Sequence, residues 1–259
     1  MDGRYSSITL RKLFVFIILF CLAMGPCSSS LADFDIIFRD ITWLSSEKQV
    51  LQALKKQGVV TADMDLKDLR RDLIQEWGPF AGCEYLNGVE TKYSSELVYD
   101  RVPQTDYFFR GSYNYSEHRR NPICQVAGYD VSTIRVYFLP KVKAQPSGAK
   151  TYNTSDLLFV RAGYNIEDLY YGEDEKVYLD LQSKLTSLYG KPIENNAVLH
   201  GMYWHSSDGS GVQLTRFDDM VTIVYAYIND EDMVAELNAI QHAIEAAEET
   251  KKENSTDGL

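Results

Sequence analysis

Residues 132–139, STIRVYFL, alternate between polar and apolar side chains. A period of two lays the apolar set on one face of a β-strand. The same texture recurs along the chain. Glu96–Asp100, Asp106–Tyr115, Val131–Leu139, Leu157–Tyr164, Val198–His205, Gly211–Arg216 and Met220–Ile228 are rich in Tyr, Phe and Val, with Gly, Pro, Asn and Ser between them. Short β-prone segments bounded by turn residues predict an antiparallel sheet. The 18 Tyr, 11 Phe and 3 Trp suit it, because a tyrosine ring packs inward while its hydroxyl stays wet.

Helical patterns flank these strands. Ser46-Glu47-Lys48-Gln49 fits a capping box, Val50, Leu51 and Leu54 then share one helical face, and Gly58 ends the element. A second helix is expected over 65–77, where Leu66, Leu69, Leu73, Ile74 and Trp77 form a 3.6-period stripe before Gly78-Pro79. A third is expected over 174–189 on Val177, Leu181, Leu185 and Leu188, stopped by Gly190 and Pro192. A last helix starts near Asp230 and carries Met233, Leu237, Ile240 and Ile244. The expected class is α+β, with helices packed on one face of antiparallel sheet. Residues 140–153, PKVKAQPSGAKTYN, read as a loop or linker. The expected organisation is therefore a first half over 33–145 and a second, related α+β half with the C-terminal helix over 146–249. Residues 250–259 form a polar, disordered tail.

The first 32 residues carry an address rather than a fold. Arg4, Arg11 and Lys12 precede LFVFIILFCLAM at 13–24, and Ser30-Leu31-Ala32 follows. Twelve residues rising about 1.5 Å each fall short of a bilayer core of about 30 Å, which fits a secretory signal peptide cut before Asp33. The chain is then exported, secreted or held at the cell envelope, and touches a membrane only where the signal stays uncleaved. With a net charge of −11, and still fewer basic residues once 1–32 are removed, it repels phosphate backbones. Nucleic acid is not an expected partner. Cys21 and Cys27 fall in the signal, leaving Cys83 and Cys124 as an expected disulfide, worth about 3–4 kcal/mol for a loop of roughly 40 residues.

Chemistry is sparse. No GxSxG, HExxH or phosphate-binding loop is present. His200 and His205 stand five apart, an odd offset that sends their side chains to opposite faces of a strand. His118 belongs to a local basic patch, HRRN, and His242 to an acidic helix face. No catalytic residue, metal ligand or cofactor is assigned. The candidate contact residues are Tyr203, Trp204 and His205, because a Trp beside the SSDGSG turn makes an anchor for a partner. The alternative is that Trp204 belongs to the core.

FRDITWLSS at 38–46, AGYDVSTIRVYF at 127–138, LDLQSKLTSLYGKP at 179–192, Tyr203-Trp204 and VTIVYAY at 221–227 resemble uncharacterised exported proteins of clostridia-like gut bacteria. The resemblance spans most of 36–228. The usual entry of that pattern has Gly after the Trp, where this chain has Leu44. The element order is also similar to SmpA/OmlA (BamE-like) and beta-lactamase-inhibitor-type modules, which bind other proteins. The resemblance implies no catalytic residue. The expected function is a non-enzymatic extracytoplasmic module that binds another macromolecule, a protein or an envelope component. The alternative is a carbohydrate-binding or weakly hydrolytic protein directed at cell-wall glycan.

Overall fold

The computed structural model describes residues 36–77, 99–144, 150–170, 172–195, 201–227, 238–240, 242–246 and 249–250. All belong to the second of the chain's two units, Phe34–Leu259. The expected signal peptide, Cys83, His200, Met233, Leu237 and residues 251–259 lie outside the described residues.

The described chain is an α+β protein built on one antiparallel sheet. In chain order the elements are helix α1 (Glu47–Lys56), the single turn α2 (Leu66–Leu69), and strands β1 (Arg70–Trp77) and β2 (Tyr99–Arg110). Two short ribbons follow, β3 (Tyr113–Asn114) with β4 (Arg119–Arg120), and β5 (Cys124–Val126) with β6 (Tyr129–Val131). Then come β7 (Thr133–Ala144), β8 (Lys150–Ile166), helix α3 (Glu173–Tyr189), β9 (Ile193–Asn195), β10 (Gly201–His205), β11 (Ser210–Phe217) and β12 (Met220–Tyr227). The main sheet has eight strands in the order β1-β2-β7-β8-β12-β11-β10-β9. Strands from both expected halves therefore share one sheet, joined where β8 pairs with β12 from Ile166↔Val221 to Arg161↔Ala226. Ala239, Ile240 and Ala243, in the helical residues near the C-terminus, are buried.

Two expectations are corrected. The stripe over 65–77 forms helix only at Leu66–Leu69, capped by Asp65 Oδ1, which accepts from Lys67 N at 2.9 Å. Arg70 then turns extended, with ψ 135°, and the rest becomes β1. Pairing with β2, from Arg70↔Tyr107 to Trp77↔Tyr99, outweighs the local helical period. In the strand Leu73 is half-buried and Ile74 exposed. Likewise 140–153 is no linker but the distal part of a long hairpin, paired as far as Ala144↔Lys150. Pro140, which cannot donate to a ladder, sits beside the register shift between Pro140 and Val142.

One face of the sheet carries the apolar core. Tyr107 and Phe109 of β2, Ile134, Val136 and Phe138 of β7, Phe159, Ala162 and Tyr164 of β8, Val212 and Leu214 of β11, and Ile223 of β12 are all buried there. Helix α3 covers the β10–β12 end through Val177, Tyr178, Leu181 and Leu185; Leu188, expected on the same stripe, is exposed. Helix α1, with Val50 and Leu54 buried, covers β8. Ser46 N donates to Gln49 Oε1 at 2.9 Å, one limb of the expected capping box. Glu47 of α1 also accepts from Arg70 Nη1 at 2.7 Å and from the Tyr107 hydroxyl. Burial, then the Glu47 carboxylate, push the Tyr107 hydroxyl up to about 12.

The lead-in completes this cover. Phe38 and Ile41 form a bridge around Arg39 and Asp40, whose φ values of 52° and 58° make a tight turn. The Phe38 ring lies 4.9 Å from Tyr164, and Trp43 stacks on Phe159 at 5.0 Å while its Nε1 donates to Ile36 O at 2.8 Å. Leu44 N donates to Phe159 O at 2.8 Å and Phe159 N to Ser45 O at 3.0 Å. This short segment thus pairs with β8 beyond the point where β12 ends.

Candidate functional site

The alternate positions of the same strands form the second face, and there the chemistry changes. Leu73 of β1, Gln104, Asp106 and Phe108 of β2, Thr133, Arg135 and Tyr137 of β7, and Arg161, Gly163 and Asn165 of β8 follow one another across the registers. Thr222 and Val224 of β12 and Gln213 and Thr215 of β11 continue the face. Many of these polar groups are nonetheless buried: Asp106, Arg161, Gln213 and Thr215 are each 3 % exposed or less. Such groups are tolerable only when their charges and hydrogen bonds are answered.

Asp106 is the anchor of one side. Arg71 reaches it with Nε and Nη2, both at 2.9 Å, and Arg135 Nε donates to Oδ2 at 2.5 Å. One carboxylate thus serves two guanidiniums. Arg71 also lies over the Phe108 ring at 5.2 Å. The Tyr137 ring has Arg135 over it at 4.6 Å and Arg161 at 3.6 Å. Stacking on a ring engages a guanidinium's face and leaves its N–H edge for hydrogen bonding. A second carboxylate, Glu167 at the end of β8, accepts from Thr133 Oγ1 at 2.8 Å, Arg110 Nη2 at 3.1 Å and Arg120 Nε at 3.2 Å. Burial alone would raise its pKa; these hydrogen bonds and the Arg110 charge hold it below the ordinary Glu value.

Between these anchors lies a cavity of about 140 Å³. Its lining includes Arg135, Tyr137 and Arg161, the polar Thr133, Asn165 and Thr222, and the apolar Phe108, Phe217, Met220 and Val224; among the described residues no Asp or Glu lines it. Gly163 also lines it. Beside it, Gln213 Oε1 and Thr215 Oγ1 are buried without a hydrogen-bond partner. That is a costly arrangement in a finished core.

The residues singled out by sequence do not build this site. Trp204 faces the apolar core at 2 % exposure, its Nε1 donating to Gly190 O at 3.0 Å; it takes the core role rather than the anchor role. Tyr203 is on the polar face but 4 % exposed. Its ring fits because Gly211 has no side chain, and a Cβ there would stand 2.8 Å from the hydroxyl oxygen. His205 is half-buried, its ring 5.9 Å from that of Tyr203. Asp208 accepts from Ser210 N and Oγ at 2.8 and 2.6 Å, which makes it a turn residue. Of the HRRN patch, Arg119 pairs with Glu117 and Arg120 with Glu167, and His118 is exposed. His242 lies 3.5 Å from Glu245 on an exposed helix face. Cys124 is a free, half-buried thiol that accepts from Arg39 Nη1 at 3.3 Å; its expected partner Cys83 lies outside the described residues. Burial raises the Cys124 pKa, offset in part by the Arg39 charge. Among the described residues no group of three or more His, Cys, Asp or Glu could hold a metal ion, and no helix is long and apolar enough to cross a membrane.

Sequence reasoning missed the site. Its signal lay in the polar residues at alternate positions, Thr133/Arg135/Tyr137, Arg161/Gly163/Asn165 and Gln213/Thr215, which meet only once the strand registers are known. Fold and site together define the class: an α+β protein whose antiparallel sheet wears helices on one face and an arginine–aromatic layer with a cavity on the other. Compared with family models, curated proteins and solved structures, the chain matches none.

Proposed function

We propose that the protein is an exported, non-enzymatic module that binds another macromolecule, a protein or an envelope component, through the arginine–aromatic face of its sheet. The observation that carries this reading is the cavity among Arg135, Tyr137 and Arg161 on the face opposite the helices. A sheet face kept only for solubility has no use for a buried guanidinium, that of Arg161, stacked on a ring. A face that receives a ligand does, because groups fixed in advance cost little to order on binding. The overall negative charge argues against nucleic acid as that partner. The test is affinity capture from the cell-envelope fraction with the full chain. One variant, Phe108→Ala, is placed on the proposed face, and a second, Leu188→Ser, on the exposed side of α3. Partner loss by Phe108→Ala alone supports the reading. Loss by Leu188→Ser alone moves the contact to the helix side, and the absence of any captured partner removes the reading.

A second reading, glycan binding, rests on a different surface. Tyr113, Tyr115 and Tyr170 are exposed, the first two in ring contact at 5.1 Å, with Arg120 over Tyr113 at 5.5 Å. Exposed tyrosines stack on sugar faces. Retention on cell-wall glycan that Tyr115→Ala abolishes would favour this reading over the first.

A further inference from the structure

We infer that the groove between helix α1 and residues 60–66 is a docking site for an amphipathic helix of a protein partner, one that carries two acidic residues two turns apart with apolar residues between them. The inference goes beyond the proposed use of the arginine–aromatic face. It concerns the helix-bearing face and stands on different residues.

Local structure makes the groove. Gly58 takes φ 75° and its N–H donates to Lys55 O at 3.1 Å, while Val59 N donates to Leu54 O at 2.9 Å. The chain thus leaves α1 through a glycine turn tied to the last helical carbonyls. Residues 60–66 then share with α1 the lining of a groove of about 490 Å³. Leu51, Met64 and Leu66 line it, each half-buried and packed against the core. The exposed Gln52, Thr61 and Ala62 line it too, so it opens to solvent. Apolar surface left in an open groove is what the apolar stripe of a docked helix buries. Met64 adds a side chain that adapts to what it meets.

Charge selects the occupant. Lys48, Leu51 and Lys55 recur at i, i+3 and i+7, which places them on one flank of α1. All three line the groove. Lys48 and Lys55 are exposed, and neither ammonium has an ion-pair partner among the described residues. Glu47 also lines the groove, but its carboxylate already accepts from Arg70 Nη1 at 2.7 Å and from the Tyr107 hydroxyl. Two unanswered ammoniums beside apolar surface are complementary to a partner's acids and repel its bases. Their spacing sets the partner's shape. Seven residues rise about 10.5 Å along a helix. A helix lying along α1 meets both lysines with acids at its own i and i+7, and residues i+3 and i+4 then fall on the same side, against Leu51. In an extended strand the same distance is about three residues, an odd offset that sends the two acids to opposite faces.

The test titrates the full chain into fluorescein-labelled, alanine-rich helical peptides and follows their anisotropy. The first peptide carries two Glu seven residues apart, with Leu three and four residues after the first Glu. The second has Lys in place of both Glu, and a third keeps the Glu but has Ser in place of both Leu. The first is expected to bind, the second about tenfold more weakly because two attractions become repulsions, and the third not at all. The double variant Lys48→Glu/Lys55→Glu should reverse the preference between the first two. Both positions are exposed, and an unchanged urea midpoint checks that the variant folds. Ala62→Trp, at an exposed lining position, should fill the groove and abolish binding. Equal binding of the Glu and Lys peptides, a preference unchanged in the double variant, or no binding at all overturns the inference. So does sedimentation showing self-association that the double variant removes, which would seat a second copy of this chain in the groove. Phe108→Ala should leave the titration unchanged; a loss there would assign the peptide to the arginine–aromatic face instead and overturn the inference. The proposed use of that face stands or falls on its own capture experiment.

Discussion

On one face of the sheet Phe109, Ile134, Phe138 and Phe159 are fully buried beneath helices and the lead-in. On the other, at neighbouring positions of the same strands, Phe108, Arg135, Tyr137 and Arg161 interleave rings with guanidiniums around a cavity. The first face is held by apolar burial, which is large and indifferent to direction. The second is held by charge and stacking, which are smaller in net worth but fix side-chain geometry. The comparison teaches a division between two kinds of cohesion: apolar burial on the covered face, and charge and stacking around a cavity on the other.

The sharpest way to break that division is to delete one ring from each face. Phe159 stacks on Trp43 and touches Phe38 and Phe138 at ring distances of 5.0, 6.2 and 5.9 Å. Phe159→Ala should cost about 3–5 kcal/mol, the range for truncating a buried Phe. Phe108→Ala, on a half-buried ring, should cost about 1 kcal/mol or less. Urea denaturation of the two variants decides the matter; similar losses would mean that both faces are core.

A charge deletion tests the second face by itself. Asp106→Ala leaves Arg71 and Arg135 without their shared carboxylate. Both side chains are partly exposed, at 43 % and 30 %, so water can solvate them. We expect a loss of about 2–3 kcal/mol, the scale of hydrogen bonds to a buried charged group and below that of breaking a fully buried pair. A double-mutant cycle with Arg71→Ala measures how much of the loss is the ion pair.

The covered face was the more legible one in the sequence, for a physical reason. Its residues announce themselves by period: Val50/Leu54 and Val177/Leu181/Leu185 as helix stripes, Ile134/Val136/Phe138 as strand alternation. Helix α3 and strands β7, β10, β11 and β12 accordingly lie near where alternation and capping placed them. The failures came where distant pairing decides. Strand β1 carries a helical stripe but meets β2 some 30 residues away in the chain, and local period holds no record of that partner. The polar face fails for the same reason, because Arg135 and Arg161 approach one ring only through the β7–β8 register, with its shift between Tyr137 and Phe138. Trp204 misled because an aromatic beside a turn looks the same in sequence whether it points to solvent or to the core.

Acid should also separate the faces. Glu167, at the edge of the polar face, has a folded-state pKa below its ordinary value. A depressed carboxylate contributes stability that is fully present above the unfolded-state value, about 4.3. The contribution is lost as pH falls through the lower folded-state value. Glu167→Gln should be less stable than the parent at neutral pH, and the gap should close in that acidic window. A gap that persists unchanged well below the window would assign Glu167 a purely steric role.

The smallest effect probes how the cover is fastened. Leu44 occupies φ 61°, third in the turn Thr42–Ser45, where Ser45 N donates to Thr42 O at 3.3 Å. That is a conformation glycine adopts freely and a branched side chain resists. Yet Leu44 also packs against the core, and its N–H ties the lead-in to Phe159. Leu44→Gly removes strain and contacts together, so its net change should be small. Measuring it against Leu44→Ala separates the two terms. Both variants lose the packing, but only Ala keeps the left-handed strain, so Gly should be the more stable by about 1 kcal/mol. If Ala equals Gly, the turn is not strained at Leu44 and the side chain's contacts with the covered face account for its whole contribution.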